Sequence, residues 1–359
     1  MTILMNNSVF VIAEAGVNHN GSLQLAGELV RAAAESGADA VKFQTFRASN
    51  MVTKEAEKAN YQKLLTEEGS QLEMLKRLEL PYDAHKQLMS LCDKLEIKFL
   101  STAFDSESLT FLSRVLNLAI LKIPSGEITN GPLLLQYART GSDLIVSTGM
   151  ADLSEIREAL GVLAFGMIGG VMPNRDNFIE AYESGEGKGK LRERVTLLQC
   201  TTDYPTRPKD VNLRAMETMQ KEFDLPVGLS DHSEGITAAL SAVALGGAVI
   251  EKHLTLDKSL VGPDHQASIE PAEFTMMVKG IRQVSEMLGD GIKRPRKREA
   301  ANRSIVRKSL VAATEIKNGE TLSIDNLTIK RPGTGRSPME YWELVGSTST
   351  ASYAEDDVI

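Results

Sequence analysis

The chain has 359 residues, 42% hydrophobic and 25% charged, which is the composition of a folded globular protein rather than a disordered one. Its net charge of −8 excludes a general attraction to nucleic acid or an anionic membrane, so an anionic substrate needs a local basic site. Cys92 and Cys200 are too few for a disulfide framework, "MTILMNNSVF" lacks signal-peptide character, and the apolar run 236–250 is too short to span a bilayer, so the expectation is a soluble cytoplasmic protein.

Strand and helix signals alternate from the start. "VFVIAEAG" is a buried-strand pattern, and Ser22 caps a helix over "LQLAGELVRAAAESG" that closes at Gly37. "ADAVKFQ" is the second strand. The long connection 47–82 after it leaves from the end where a barrel keeps its active site, and is expected to act as a lid. Further strands follow at "IKFLST", "AILKIPSG", "DLIVSTG", "VTLLQCT", "LPVGLSD" and "AVIEKH", each followed by a helical pattern, the last being "PAEFTMMVKGIRQVSEML". The insertion 166–194, which includes "YESGEGKGK", falls on the opposite side of such a barrel and is read as structural or merely tolerated. Eight strand–helix units predict an α/β (β/α)8 barrel over residues 1–290, with a doubly wound open sheet as the runner-up. The basic stretch "DGIKRPRKREAANRS" supplies a linker, 291–303. Residues 304–359 alternate short strands with turns such as Lys317-Asn318-Gly319, and form a small β-rich domain with little core of its own.

In a barrel, residues at the C-terminal strand ends share one mouth. Here they are Glu14, Asn18 and His19; Lys42 and Gln44; Ser101 and Thr102; Lys122, Ser125 and Glu127; Ser147 and Thr148; Thr201, Thr202 and Tyr204; Ser230, Asp231 and His232; Glu251 and His253; then Asp264 and His265. Singly, each has a bland explanation as a turn residue or a solvated cap. Together, two lysines with several hydroxyls make an anion site suited to phosphate and carboxylate. Two of the five histidines, His232 and His253, stand at matching places on neighbouring strands and suit a divalent transition metal such as Mn, Co or Zn. Glu14, Glu127 and Asp264 are candidate acid–base groups.

The motifs "VIAEAGVNHNGSLQLAGELVRAAAESGADAVKFQT", "KIPSGE", "STGM", "QCTTDYPT", "GLSDHS", "EKHLTLDKSLVGPDH" and "KRPGTG" resemble, in order and over almost the whole chain, the sialic acid synthase family. The tail is similar to that family's antifreeze-like SAF domain, a β-clip. The resemblance implies condensation of phosphoenolpyruvate with an N-acetylated hexose, giving a nine-carbon sialic acid and phosphate. It implies Mn2+, Co2+ or Mg2+ at His232 and His253, and the phosphoenolpyruvate anion at Lys42, Thr102, Lys122, Ser125, Ser147 and Ser230. Glu14, Gln44, Tyr204 and Asp264 match sugar-facing positions, and Glu14 and Glu127 match carboxylates implicated in proton transfer. Arg331 matches a tail arginine that reaches the sugar's N-acyl group in a partner subunit, which implies a domain-swapped homodimer. Thr202, Asp203-Tyr204, "GPDHQAS" and "ANYQ" are as similar to legionaminic acid synthases as to N-acetylneuraminate synthases. A metal-dependent barrel aldolase using pyruvate and a non-catalytic sugar- or ice-binding protein are the competing readings.

Overall fold

The computed structural model describes residues 8–66 and 68–359. Eight parallel strands close into a barrel: β1 (Phe10–Gly16), β2 (Ala40–Thr45), β3 (Lys98–Ala103), β4 (Ile120–Ile123), β5 (Asp143–Ser147), β6 (Val195–Cys200), β7 (Val227–Asp231) and β8 (Val249–His253). Each pairs with its sequence neighbours and β1 with β8, so the sheet has no open edge and the doubly wound alternative falls.

Side chains alternate between two apolar layers, as the two-residue period of a strand requires. One face of the strands packs with the surrounding helices in the main core, which includes Val11, Val41, Leu121, Val146, Leu197 and Ile250. The other face fills the barrel with a small cluster of Phe10, Ile12, Ala40, Leu100, Ile120, Ile145, Leu198 and Val249. Two residues further along these inner rows stand Glu14, Lys42, Thr102, Lys122, Ser147, Cys200 and Glu251, all buried. The barrel is therefore plugged with hydrocarbon at one end and floored with charge at the other.

The first helix, Leu23–Glu35, begins at the expected cap, where Ser22 Oγ accepts from the Leu25 N–H. The connection after β2 forms three short helices, Ala48–Met51, Asn60–Leu65 and Gln71–Leu78. Its Ala48, Met74, Leu75 and Leu78 pack with Val17 and Phe46 of the β1 and β2 ends. In the insertion the glycine-rich segment is helical: helices Arg175–Glu183 and Gly185–Arg194 follow Leu153–Met167. Ser184 Oγ caps the second by accepting from Gly187 N–H, and buried Leu191 anchors it. A Cβ on Gly187 would stand 1.9 Å from Ala181 O, so the close approach of the two helices demands glycine and overrides its low helix propensity.

The chain divides into two compact units between Gly289 and Asp290. The stretch read as a linker contains the short helix Lys297–Ala300, and a second, Arg303–Val306, begins at its last residue. The second unit is built on antiparallel β9 (Ser309–Ala312) and β10 (Leu327–Lys330). Its core is small: Leu310, Ala312, Ile316, Leu322, Leu327 and Leu344. Among the described residues no helix is long and apolar enough to cross a membrane.

Candidate active site

The charged floor of the mouth is a network of two lysines and two glutamates. Lys42 Nζ lies 2.6 Å from Glu14 Oε2 and 3.7 Å from Glu251 Oε2. Lys122 Nζ donates to Glu251 Oε1 at 3.2 Å, and Ser230 Oγ donates to the same oxygen at 3.0 Å. Lys42 Nζ also donates to Thr102 Oγ1 at 3.2 Å, and Gln44 Nε2 to Glu14 Oε1 at 3.3 Å. Burial, helped by the nearby Glu251 charge and only partly offset by Lys42, raises Glu14 to about 7. Glu251 goes the other way: although burial works against its charge, Lys122, Lys42 and Ser230 hold it down at about 2. Burial lowers Lys122, whereas Glu14 and Glu251 more than offset the burial of Lys42 and raise it. Whenever Glu14 takes a proton, two ammonium groups face one carboxylate. The floor then carries a net positive charge in a site shielded from solvent, which favours an anionic ligand.

Above the floor, His232 and His253 stand with ring centroids 5.3 Å apart, and Tyr204 stacks on His232 at 4.2 Å. His232 Nδ1 lies 2.8 Å from the Thr201 carbonyl oxygen, which as acceptor fixes the Nδ1–H tautomer and leaves the Nε2 lone pair free. His253 Nδ1 is buried without a hydrogen-bond partner. Burial and the neighbouring His232 keep the His253 imidazole far below its usual pKa, hence neutral. Asp264 Oδ2 lies 3.9 Å from His253 Nδ1, and burial raises its carboxyl to about 6. Among the described residues no set of three His, Cys, Asp or Glu side chains is poised around one metal position. Although burial works against its charge, Cys200 and the Thr201 carbonyl raise His232 above its usual value. Two imidazoles, one held by a carbonyl and one with an orphaned nitrogen, nevertheless fit a divalent ion that keeps open positions for oxygen ligands once His232 has given up its proton.

Ser147 Oγ is buried with no partner, a free donor beside the floor. Ser125 Oγ accepts from Gly149 N–H at 3.0 Å, and Glu127, raised by burial, accepts from Asn130 Nδ2 at 2.6 Å. Other strand-end residues face elsewhere. Ser101 Oγ donates to Phe43 O and meets Thr45 Oγ1, which in turn meets His85 Nε2. Thr148 Oγ1 donates to Leu198 O, and Asn18 Nδ2 to Leu254 O. His19 Nδ1 accepts from Gly21 N–H, and His265 Nδ1 meets Thr255 Oγ1. These serve the outer packing and loop geometry. Arg331 is exposed on the second unit, with Nε donating to Val306 O.

Two functional residues carry more weight than their sequence context suggests. Glu251 joins both lysines and Ser230, and its alignment with the inner row 249–251–253 is the signal that identifies it. Gly149 is the second: a Cβ there would stand 2.4 Å from Thr202 Oγ1 and 2.7 Å from Ser125 Oγ. Only contact geometry reveals that.

Comparison with known proteins places the chain in a family. A model of the NeuB family matches residues 29–293, and a SAF domain model matches 307–359. The chain is 50% identical to the N,N'-diacetyllegionaminic acid synthase of Campylobacter jejuni over 97% of this chain and 98% of that one. The N-acetylneuraminate-9-phosphate synthase of Homo sapiens is 34% identical over 98% of this chain and 91% of its own length. A solved N-acetylneuraminic acid synthetase from Leptospira borgpetersenii, in complex with citrate, superposes with a TM-score of 0.67 at 33% identity, covering 83% of this chain and 90% of that one.

Proposed function

Because the chain belongs to the NeuB family and carries a SAF domain, we propose that it condenses phosphoenolpyruvate with a 2,4-diacetamido-trideoxyhexose, giving the nine-carbon sugar acid legionaminate and phosphate. The broader activity, C–C bond formation toward a sugar acid by a transferase, is that of its relatives at up to 50% identity. The observation that carries the reading is the buried pair of lysines joined through Glu251 directly beneath a pair of neighbouring histidines. The preference for the diacetamido sugar over N-acetylmannosamine rests on the similarity to the legionaminic acid synthases of Campylobacter jejuni and Legionella pneumophila, at 50% and 48% identity.

In this reading Lys42, Lys122, Thr102, Ser125, Ser147 and Ser230 bind the carboxylate and phosphate of phosphoenolpyruvate through charge-assisted hydrogen bonds. The two ammonium groups suit a phosphorylated enol better than pyruvate, which disfavours the aldolase alternative. His232 and His253 hold Mn2+, Co2+ or Mg2+, which when bound supplies Lewis-acid polarisation of the sugar aldehyde. Gln44, Tyr204 and Asp264 position the sugar. C3 of phosphoenolpyruvate bonds to the aldehyde carbon and C2 becomes cationic. Water adds at C2, and the C–O bond to phosphate then breaks. The incoming water loses both its protons, one as it adds and one as the C2 hydroxyl becomes the ketone; one of them ends on the former aldehyde oxygen and the other leaves with the phosphate. Glu14, raised to about 7, is able to hold or release a proton near neutral pH, and Glu127 shares this work or steadies the cationic carbon. Arg331 reaches the N-acyl group from the partner subunit of a domain-swapped homodimer. The SAF unit then serves as a cover that excludes stray water.

The test is a panel of acceptors with phosphoenolpyruvate and Mn2+, read by product mass. The expected result is a nine-carbon acid from the 2,4-diacetamido sugar, with kcat/KM at least about tenfold above N-acetylmannosamine, a difference of roughly 1.4 kcal/mol. A preference for N-acetylmannosamine overturns the sugar assignment, and no product from either overturns the activity.

A further inference from the structure

We propose that Asp231, Lys252 and Ser233 form a buried clamp that positions the two histidines for metal, a role resting on the metal reading given above. In the β7–β8 register Ser230 faces Glu251 and Asp231 faces Lys252. Ser230 and Glu251 meet inside the barrel, so alternation turns Asp231 and Lys252 to the other side of the sheet. There Lys252 Nζ donates to Asp231 Oδ2 at 2.9 Å and also to the Ser233 carbonyl oxygen. Asp231 Oδ1 accepts from Ser233 N–H at 2.9 Å and from Ser233 Oγ at 2.7 Å.

The clamp grips the residues on both sides of His232, and its lysine immediately precedes His253. It thus ties the backbones of the two imidazoles to each other across the strand pair. Lys252 is 0% exposed and Asp231 1%, so water supports neither charge. A buried ion pair is a poor source of net stability, because the desolvation of both charges offsets their attraction; it is better suited to enforcing one geometry. The His232 carbonyl is held in the same way, accepting from Thr206 N–H at 2.9 Å, and the His253 carbonyl accepts from Ile269 N–H at 2.9 Å. The clamp completes a set of constraints centred on these two residues and touches neither the anion floor nor the sugar-facing residues. Asp231, Lys252 and Ser233 are therefore positioning residues.

The experiment measures Mn2+ affinity of the full-length metal-stripped protein by the electron paramagnetic resonance signal of free Mn2+, with a thermal melt of each sample. The variants are Lys252→Met, Asp231→Asn and the double variant Asp231→Leu/Lys252→Met. The control is Asp39→Asn, which breaks an ion pair with Arg282 away from the mouth. Each clamp variant is expected to bind Mn2+ about 10- to 100-fold more weakly, the usual cost of losing an outer-shell partner. The double variant, free of any unpaired buried charge, is expected to recover the Tm lost by the single ones without recovering affinity. Asp39→Asn is expected to lower Tm and leave affinity unchanged. A double variant that binds Mn2+ like the parent overturns the clamp while leaving the metal site intact. A parent that takes up no Mn2+ overturns both the clamp and the metal reading. If the single variants fail to fold, the double variant decides.

Discussion

Replacing Glu251 with glutamine keeps the shape of the charged floor and removes the carboxylate shared by Lys42, Lys122 and Ser230. Glu251 and its two charged partners, Lys42 and Lys122, are almost completely buried, so solvent does not compensate for the lost charge. Breaking a buried ion pair by removing one partner costs about 3 to 5 kcal/mol. The lower figure applies here because the glutamine oxygen still accepts hydrogen bonds from Lys122 and Ser230. For a unit the size of the barrel about 3 kcal/mol corresponds to a fall in Tm of roughly 5 °C. The same substitution leaves two ammonium groups facing only Glu14, so added phosphoenolpyruvate should raise the Tm of the variant more than that of the parent, through linkage of binding to folding. The assay is a thermal melt of both proteins with and without the ligand. A loss below about 2 °C, or an equal ligand shift in the two proteins, would refute the claim that Glu251 balances a buried cationic anion site.

Treatment with EDTA should abolish activity and Mn2+ restore it, while His253→Ala should stay folded by circular dichroism and fail to recover with Mn2+ at concentrations that saturate the parent. His19, lowered to about 3 by burial and by nearby His85, is neutral in the fold and protonates near pH 6.5 when unfolded. Its contribution to stability is therefore complete above pH 6.5 and lost as pH falls toward 3, at about 1.4 kcal/mol per unit, so His19→Gln should reduce the loss between pH 6 and 5 by roughly 1 kcal/mol in urea titrations. An unchanged pH slope would contradict that assignment. Co-expression of His232→Ala with Arg331→Ala should restore about a quarter of parental activity if the tail is exchanged between subunits, since one site of each mixed dimer is intact. Proven mixed dimers without activity would rule out the exchange.

The barrel was legible because eight strand patterns alternate with helical ones, and its site because those strands end in polar residues such as Glu14 or Glu251 and His253. Lys42, Lys122, His232 and His253 could be picked out for the same reason. Where two polar residues end a strand side by side, composition does not say which faces inward. Thr102 does, while Ser101 turns outward to Thr45; Ser147 borders the floor, while Thr148 bonds to the Leu198 carbonyl. The helix Gly185–Arg194 was illegible because its glycines answer to a tertiary contact, the approach of Gly187 to Ala181, rather than to local propensity. Gly149 is similar, since its small size matters only to residues distant in sequence. Asp231 and Lys252 were visible as strand residues, but their pairing depends on the register of β7 against β8.

The central claim is tested most directly with phosphoenolpyruvate carrying 18O at the bridging oxygen between C2 and phosphorus, supplied with Mn2+ and the 2,4-diacetamido sugar. Phosphate is expected only when both substrates are present, in a one-to-one ratio with the nine-carbon acid. That phosphate is expected to retain the 18O, because the C–O bond is the one that breaks. Phosphate released without the sugar, or released free of label alongside pyruvate, would contradict it.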